Sequence, residues 1–341
     1  MRVLVVHPGP HFSVADVHNG IVKGLRQNGC EVVDLNFDRY LDFYCGAHLE
    51  NVDTGEWVQA FDHETAVRNA ARASIDSACY QFWPDVVIVV SGFFVPPEQV
   101  ALIRSRGHHT VFWATEEPYE HERHRWMAEA FDTVVVNDPC NLDSLRQLNG
   151  RTFYVPHGYD PDLHHPGPNR NRFVDFGWVG TAYPSRVRFL ERVDLDNMIV
   201  ELAGNWEAVG DDSPLKPYVT SAYCINNAEA ADLYRRSKIS ANIYRKEADL
   251  GHNDGWAMGP REVELAACGT FFLREPRGEG DELFPMLPTF QTPAEFSDAL
   301  RWWLRHDRER DSAAAKAREA VADRTFQALT ADVLRRIPTS N

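Results

Sequence analysis

Between residues 2 and 155 the chain keeps returning to one arrangement. A short β-branched apolar run is followed by a segment of helical spacing, and then by another such run. The run at 85–90, Asp-Val-Val-Ile-Val-Val, is the most constraining. It shows no alternation of polar and apolar positions, so it suits a strand covered on both faces. Strands of that kind form parallel sheets, and parallel neighbours need a crossover, usually a helix.

The pattern predicts strands at Arg2–Val6, Glu31–Leu35, 85–90, 110–114, 133–137 and 152–155. Helices are expected at 14–28 (stopped by Gly29), 63–81, 97–106, 121–130 and 140–148. Residues 39–63 read as irregular and aromatic. Residues 156–172 are rich in Pro, Gly, Asn and His and read as a linker. The alternation then restarts, with strands at 175–179, 199–203, 223–225, 239–243 and 270–273. Helices are expected at 184–193, 228–236, 260–268 and 293–306, and one long charged helix at 307–335. The fold class is α/β with two Rossmann-like domains, 1–160 and 161–320. Residues 321–341 form a helix that returns to the first domain, where Phe326, Leu329 and Val333 should be buried. No period of 20–50 residues repeats.

The length of 341 residues fits two such domains, and 44% apolar with 25% charged residues fits a globular chain. The net charge of −15 disfavours a protein that neutralises a nucleic-acid backbone, but leaves room for one local basic pocket. No leader peptide and no apolar run of membrane-spanning length is seen. The six Cys are scattered, as in a protein of a reducing compartment, so a cytoplasmic location is expected.

Two α/β domains suggest a ligand in the cleft between them, at the carboxyl ends of strands. A dinucleotide fingerprint is missing. The first strand leads to His7-Pro8-Gly9-Pro10-His11, and that at 175–179 to Gly180-Thr181-Ala182. There is no phosphate-binding G-x-x-x-x-G-K-[ST] loop and no G-x-S-x-G elbow.

Four segments carry a family resemblance. Arg261-Glu-Val-Glu264-Leu-Ala-Ala-Cys-Gly269 resembles the signature helix of family 4-type and CgeB-like glycosyltransferases. Val155-Pro-His-Gly158-Tyr-Asp160, with His164 and Pro166, is similar to their interdomain segment. Phe176-Gly-Trp-Val-Gly180, followed by Tyr183 and Arg186, resembles the start of the second domain. Trp113-Ala-Thr-Glu116-Glu117-Pro-Tyr119 matches a strand end of the first domain. The resemblance implies a GT-B architecture, with two domains facing a cleft. It implies sugar transfer from a nucleotide-sugar co-substrate, UDP- or GDP-linked, to an acceptor hydroxyl. Retention of configuration, no metal and no tightly bound cofactor are implied as well. The acceptor, whether glycan, protein or small molecule, stays open.

In this reading the donor site comprises Gly9, Gly180, Arg186, Arg245, Lys246, Arg261 and Glu264. Cations and a helix N-terminus suit the diphosphate, and a carboxylate suits the ribose diol. Pro260 fits the first helical position, which puts Glu264 near that helix start. The family 4 pattern carries an earlier Glu eight positions before the second, and this chain has Trp256 there. Glu116 is the first choice for a catalytic carboxylate and Glu117 the alternate. His7, His11 and Asp16 beside Gly9, and His252 and Asp254, are candidates for acceptor or sugar contact.

Plainer readings stand beside these. Arg261 could simply pair with Glu264, Arg186 could be a solvated helix residue, and Glu116-Glu117 an exposed acid pair. The D-x-D matches Asp160/Asp162 and Asp194/Asp196 read as turn carboxylates. The pairs His108-His109, His121/His124 and His164-His165 read as surface or linker histidines, and Trp302-Trp303 as packing. Rival functions are a non-catalytic sugar or nucleotide binder and a transferase acting on modified DNA bases.

Overall fold

The computed structural model describes residues 1–7, 9, 15–167, 172–247 and 255–338. The chain divides into two compact units. The first is Met1–Pro156 with Phe326–Asn341, and the second is His157–Thr325.

The first unit is built on six parallel strands: β1 (Arg2–Val6), β2 (Glu31–Leu35), β5 (Val86–Val90), β6 (His109–Ala114), β7 (Thr133–Val136) and β8 (Thr152–Tyr154). Their order is β2-β1-β5-β6-β7-β8. Successive side chains enter opposite cores, as the two-residue strand period requires. Val3, Val5, Val86 and Ile88 pack on one face, and Leu4, Val6, Val87 and Val89 on the other. The uninterrupted apolar run follows from this two-sided burial.

On the first of those faces lie α1 (Ala15–Gln27) and the last helix, α14 (Phe326–Arg336). Phe326, Leu329 and Val333 join the core there. The two helices approach closely because α1 carries glycines at the contact. A Cβ on Gly24 would stand 2.5 Å from the Phe326 carbonyl oxygen.

Several local expectations need correction. Residues 39–63 are not irregular. They hold helix α2 (Asp38–Gly46) and a hairpin of β3 (His48–Glu50) and β4 (Trp57–Gln59). The helix expected at 63–81 is α3 (His63–Ala71) and α4 (Ser77–Phe82), joined by a π-helical stretch, Arg72–Asp76. Within that stretch Ser74 Oγ donates to the Ala70 carbonyl at 2.7 Å, a side-chain bond of the kind that disturbs a regular helix. The remaining helices are α5 (Pro97–Ser105), α6 (His121–Ala128) and α7 (Leu142–Leu148).

The second unit has four parallel strands, β9 (Val174–Val179), β10 (Val200–Ala203), β11 (Ser237–Asn242) and β12 (Phe271–Arg274), in the order β10-β9-β11-β12. Residues 223–225 form no strand. The helices are α8 (Pro184–Leu190), α9 (Asn227–Arg236), α10 (Pro260–Ala267), α11 (Gly278–Leu283), α12 (Pro293–Arg305) and α13 (Asp307–Ala320). The long helix expected at 307–335 is interrupted at 321–325, so that α13 belongs to the second unit and α14 to the first. Reciprocal caps start α9 (Asn226 with Glu229) and α12 (Thr292 with Glu295). Trp303 packs on Phe271 at 4.4 Å between ring centres, while Trp302 stacks on His306 at 3.7 Å.

Candidate functional site

In the second unit the polar residues gather at the carboxyl ends of the strands, where open parallel sheets bind ligands. β9 ends in Trp178 and Val179 and turns at Gly180. A Cβ at Gly180 would meet Arg261 Nη2 at 2.5 Å. Gly204, after β10, has φ +117° and lies so close that a Cβ would stand 2.5 Å from the Gly180 carbonyl oxygen. Both turns therefore exclude side chains.

Three arginines converge on two aromatic rings at this edge. The Arg261 guanidinium lies 5.1 Å from the Trp178 ring centre, and that of Arg186 5.5 Å from the same ring. Arg186 is also 5.2 Å from the Tyr183 ring, and Arg245 is 5.7 Å from it. Arg186 is buried and donates from Nε to the Ile243 carbonyl at 2.8 Å and from Nη1 to Thr181 O at 3.2 Å. It is thus no solvated helix residue. Arg245 Nη1 donates to the Tyr183 hydroxyl at 3.3 Å.

Arg261 does not pair with Glu264. It turns to Asn242, Nη1 to Oδ1 at 2.8 Å, and its buried Nε has no partner. Glu264 is half-buried, one turn further along α10, and no described residue hydrogen-bonds its carboxylate. Lys246 leans to Glu275 instead, 3.3 Å away.

A residue missed by sequence reasoning organises this edge. Glu262 is fully buried, and its Oε2 accepts from Asn242 Nδ2 at 2.8 Å, from the Gly259 N–H at 2.9 Å and from the Tyr244 hydroxyl. It caps the start of α10 while tying that start to β11. Burial pushes its carboxyl pKa up despite these donors and despite Arg274 nearby. Only half of a reciprocal cap is possible here: Glu262, at the third helical position, reaches back to the Gly259 N–H, but glycine has no side chain to return the bond, so the sequence carried no full capping signal.

In the first unit the corresponding strand ends carry acids and histidines. Glu117 is buried and saturated. Its Oε1 accepts from His124 Nδ1 at 2.7 Å and His121 Nδ1 at 3.0 Å, and its Oε2 from Asn141 Nδ2 at 2.7 Å. Burial disfavours its charge, but these donors prevail and hold its pKa down at about 2. Burial lowers the pKa of His124 as well, so a neutral imidazole with its proton on Nδ1 donates to an ionised carboxylate. Glu116, the residue before, is half-buried. The exposed acid pair read from the sequence is therefore not present, since Glu117 is inward.

At the end of β1, the Gly9 N–H donates to His7 Nδ1 at 3.2 Å. His7 meets His18 edge-on at 4.7 Å, and His18 Nε2 lies 2.7 Å from Asp34 Oδ1. Burial, then His18, lower the His7 pKa. Asp16 sits in the first turn of α1. His11, His252 and Asp254 lie outside the described residues.

The histidines read as surface or linker positions are mostly internal. His108, His121, His124 and His164 are all buried, and each meets a protein oxygen: Pro84 O, Glu117, Glu117 and Asn227 Oδ1. The D-x-D pairs are engaged locally. Asp160 Oδ1 accepts from Asp162 N at 3.0 Å, and Asp194 Oδ1 from Asp196 N at 3.2 Å.

Residues 186–334 match a family model described as glycosyl transferase-like. The match is to a part of the chain, and the two parallel α/β units together with the solved structures below give the chain the GT-B fold. It is similar to the spore protein CgeB of Bacillus subtilis, with 22% identity over 73% of this chain and 82% of that protein. Among solved structures, a sucrose-phosphate synthase from Thermosynechococcus elongatus superposes with a TM-score of 0.68 at 11% identity, covering 98% of each chain. HepE from Anabaena, in complex with UDP-glucose, superposes with 0.66 at 12% identity, covering 99% of this chain and 100% of that one. Among the described residues no helix is long and apolar enough to cross a membrane.

Proposed function

We propose that the protein transfers a sugar from a nucleoside-diphosphate sugar to an acceptor hydroxyl. The observation that carries this is the convergence of Arg186, Arg245 and Arg261 on Trp178 and Tyr183 at the carboxyl ends of β9 and β11. Guanidinium groups with fixed aromatic backing suit a diphosphate, which gains charge as the sugar leaves. Arg261 supports this most directly, because its buried Nε still has a hydrogen bond to give. Glu264, a turn along α10, is the carboxylate for the ribose diol. The UDP-glucose held by HepE makes that compound the first donor to test.

Cations in this position do the work that a divalent metal does elsewhere, so transfer is proposed to need no metal, and the family resemblance implies that it retains configuration. Turnover that persists in EDTA, with the product anomer read by NMR, tests both points. On the acceptor side, Glu117 has no oxygen to spare and a pKa too low for a base, which favours Glu116 for contact with the reacting centre. Glu117 then acts by positioning the loop that carries it.

The decisive experiment is calorimetric titration of UDP and UDP-glucose into the protein and into Arg261→Ala. Losing one charge-assisted contact should cost about 2 kcal/mol, roughly thirty-fold in Kd. Unchanged affinity in the variant removes the donor site from this edge. Glu116→Gln should keep UDP binding and lose turnover.

A further inference from the structure

The second unit has a cavity at the opposite edge of its sheet. It is about 770 Å³ in volume and opens beside the amino ends of β11 and β12. The arginine cradle stands at the carboxyl ends of the same sheet, a six-residue strand or about 20 Å away. The cavity lies within the size range of small-molecule sites.

Its lining is strongly cationic in a chain of net charge −15. Arg172, Arg235, Lys238, Arg310 and Arg318 line it, against two carboxylates, Asp307 and Asp311. Three of the five cations have an acid of their own: Arg235 has Asp232, Lys238 has Asp175 at 2.7 Å, and Arg310 has Asp307 at 2.7 Å. The other two do not. Arg172 donates only to neutral oxygens: Tyr234 O at 3.1 Å, Ser237 O at 2.7 Å, Thr270 Oγ1 at 3.0 Å and Gly269 O at 2.7 Å. These four bonds fix its guanidinium at the wall; burial pulls its pKa down, and Asp311 nearby opposes this without forming an ion pair with it. Arg318 makes no ion pair or hydrogen bond to any described residue through its side chain.

Small residues leave the space. On α13 the positions 310, 314 and 318 share a face, so Ala314 separates the two arginines and Gly269 faces them. A concave wall with one half-buried guanidinium bonded only to neutral oxygens, and an exposed one without an ion pair among the described residues, still favours anions beside Asp307 and Asp311.

We propose that this cavity is a second anion site, separate from the donor edge, that takes a phosphorylated small molecule of about hexose-phosphate size. Arg172 is the preorganised ligand for the phosphate, and Arg318 closes on it from α13. The site stands on the cavity and its cations, whether or not the donor reading holds.

The test is calorimetric titration of glucose 6-phosphate, inorganic phosphate and glucose into the full chain and three variants. The phosphorylated sugar should bind, phosphate more weakly, and glucose not at all. Arg318→Glu should weaken the phosphorylated sugar at least tenfold. Ala315→Phe, which blocks the opening from an exposed helix position without altering charge, should do the same. Arg261→Ala should leave it unchanged. Binding that ignores Arg318→Glu and Ala315→Phe, or that disappears only with Arg261→Ala, overturns the proposal, as does glucose binding equally well. Circular dichroism of each variant confirms that a loss is not unfolding.

Discussion

The two sheets share a topology, but their carboxyl edges carry opposite chemistry. The first edge centres on a carboxylate, Glu117, enclosed by imidazole and amide donors. The second is lined with arginines, and its buried carboxylate, Glu262, is held by a phenol, an amide and a backbone N–H. Both acids are buried, yet their pKa values move apart. Glu117 falls to about 2 while Glu262 rises. Burial alone raises a carboxyl, so the donor set decides. Both Glu117 oxygens are satisfied, whereas Glu262 Oε1 has no partner. The first acid is a fixed anchor, and the second is nearer to neutral and tolerant of exchange.

That contrast can be broken by measurement. The largest effect should come from Glu117→Gln. Its amide N–H₂ would face donors on either side, so about 3 kcal/mol of stability should be lost, read as a lower urea midpoint. Glu262→Gln should cost only about 1 kcal/mol, because the amide oxygen can replace Oε2 for all three donors. Equal losses would end the distinction.

Acid titration sharpens it next. The folded pKa of Glu117 is depressed from 4.5 to about 2, so its contribution is complete above 4.5 and fades as the pH falls towards 2. Roughly 3 kcal/mol should disappear across that window and be absent from the Glu117→Gln profile. Glu262 has the opposite sign. Its raised pKa gives stability below 4.5 that is lost as pH rises through the folded value.

A smaller effect probes the second edge alone. Gly204→Ala forces a side chain into φ +117° against the Gly180 carbonyl, at a cost of about 2 kcal/mol. Because Gly180 abuts Arg261, UDP affinity measured in the same variant should fall with it.

Much of this was legible before any coordinates. Residues 85–90 marked a doubly covered strand, and Pro260 marked the start of α10. Both are local signals, set by periodicity and by which residues tolerate a helix terminus. The break of residues 307–335 into α13 and α14 was not legible, since charged helical spacing continues through 321–325 and only their packing partners differ. Nor was the role of Glu262, which is fully buried while Glu264, two residues on, is only half-buried.

By itself the sequence determined the class of fold, because hydrophobic period, caps and turn residues act within a few positions of the chain. Only the tertiary structure decided which charges meet. Arg186 and Arg261 share Trp178, while Arg172, Lys238 and Arg318 line one cavity, although scores of residues separate them. Their meeting depends on the strand order β10-β9-β11-β12, and that order is set by long-range packing that no local window of sequence contains.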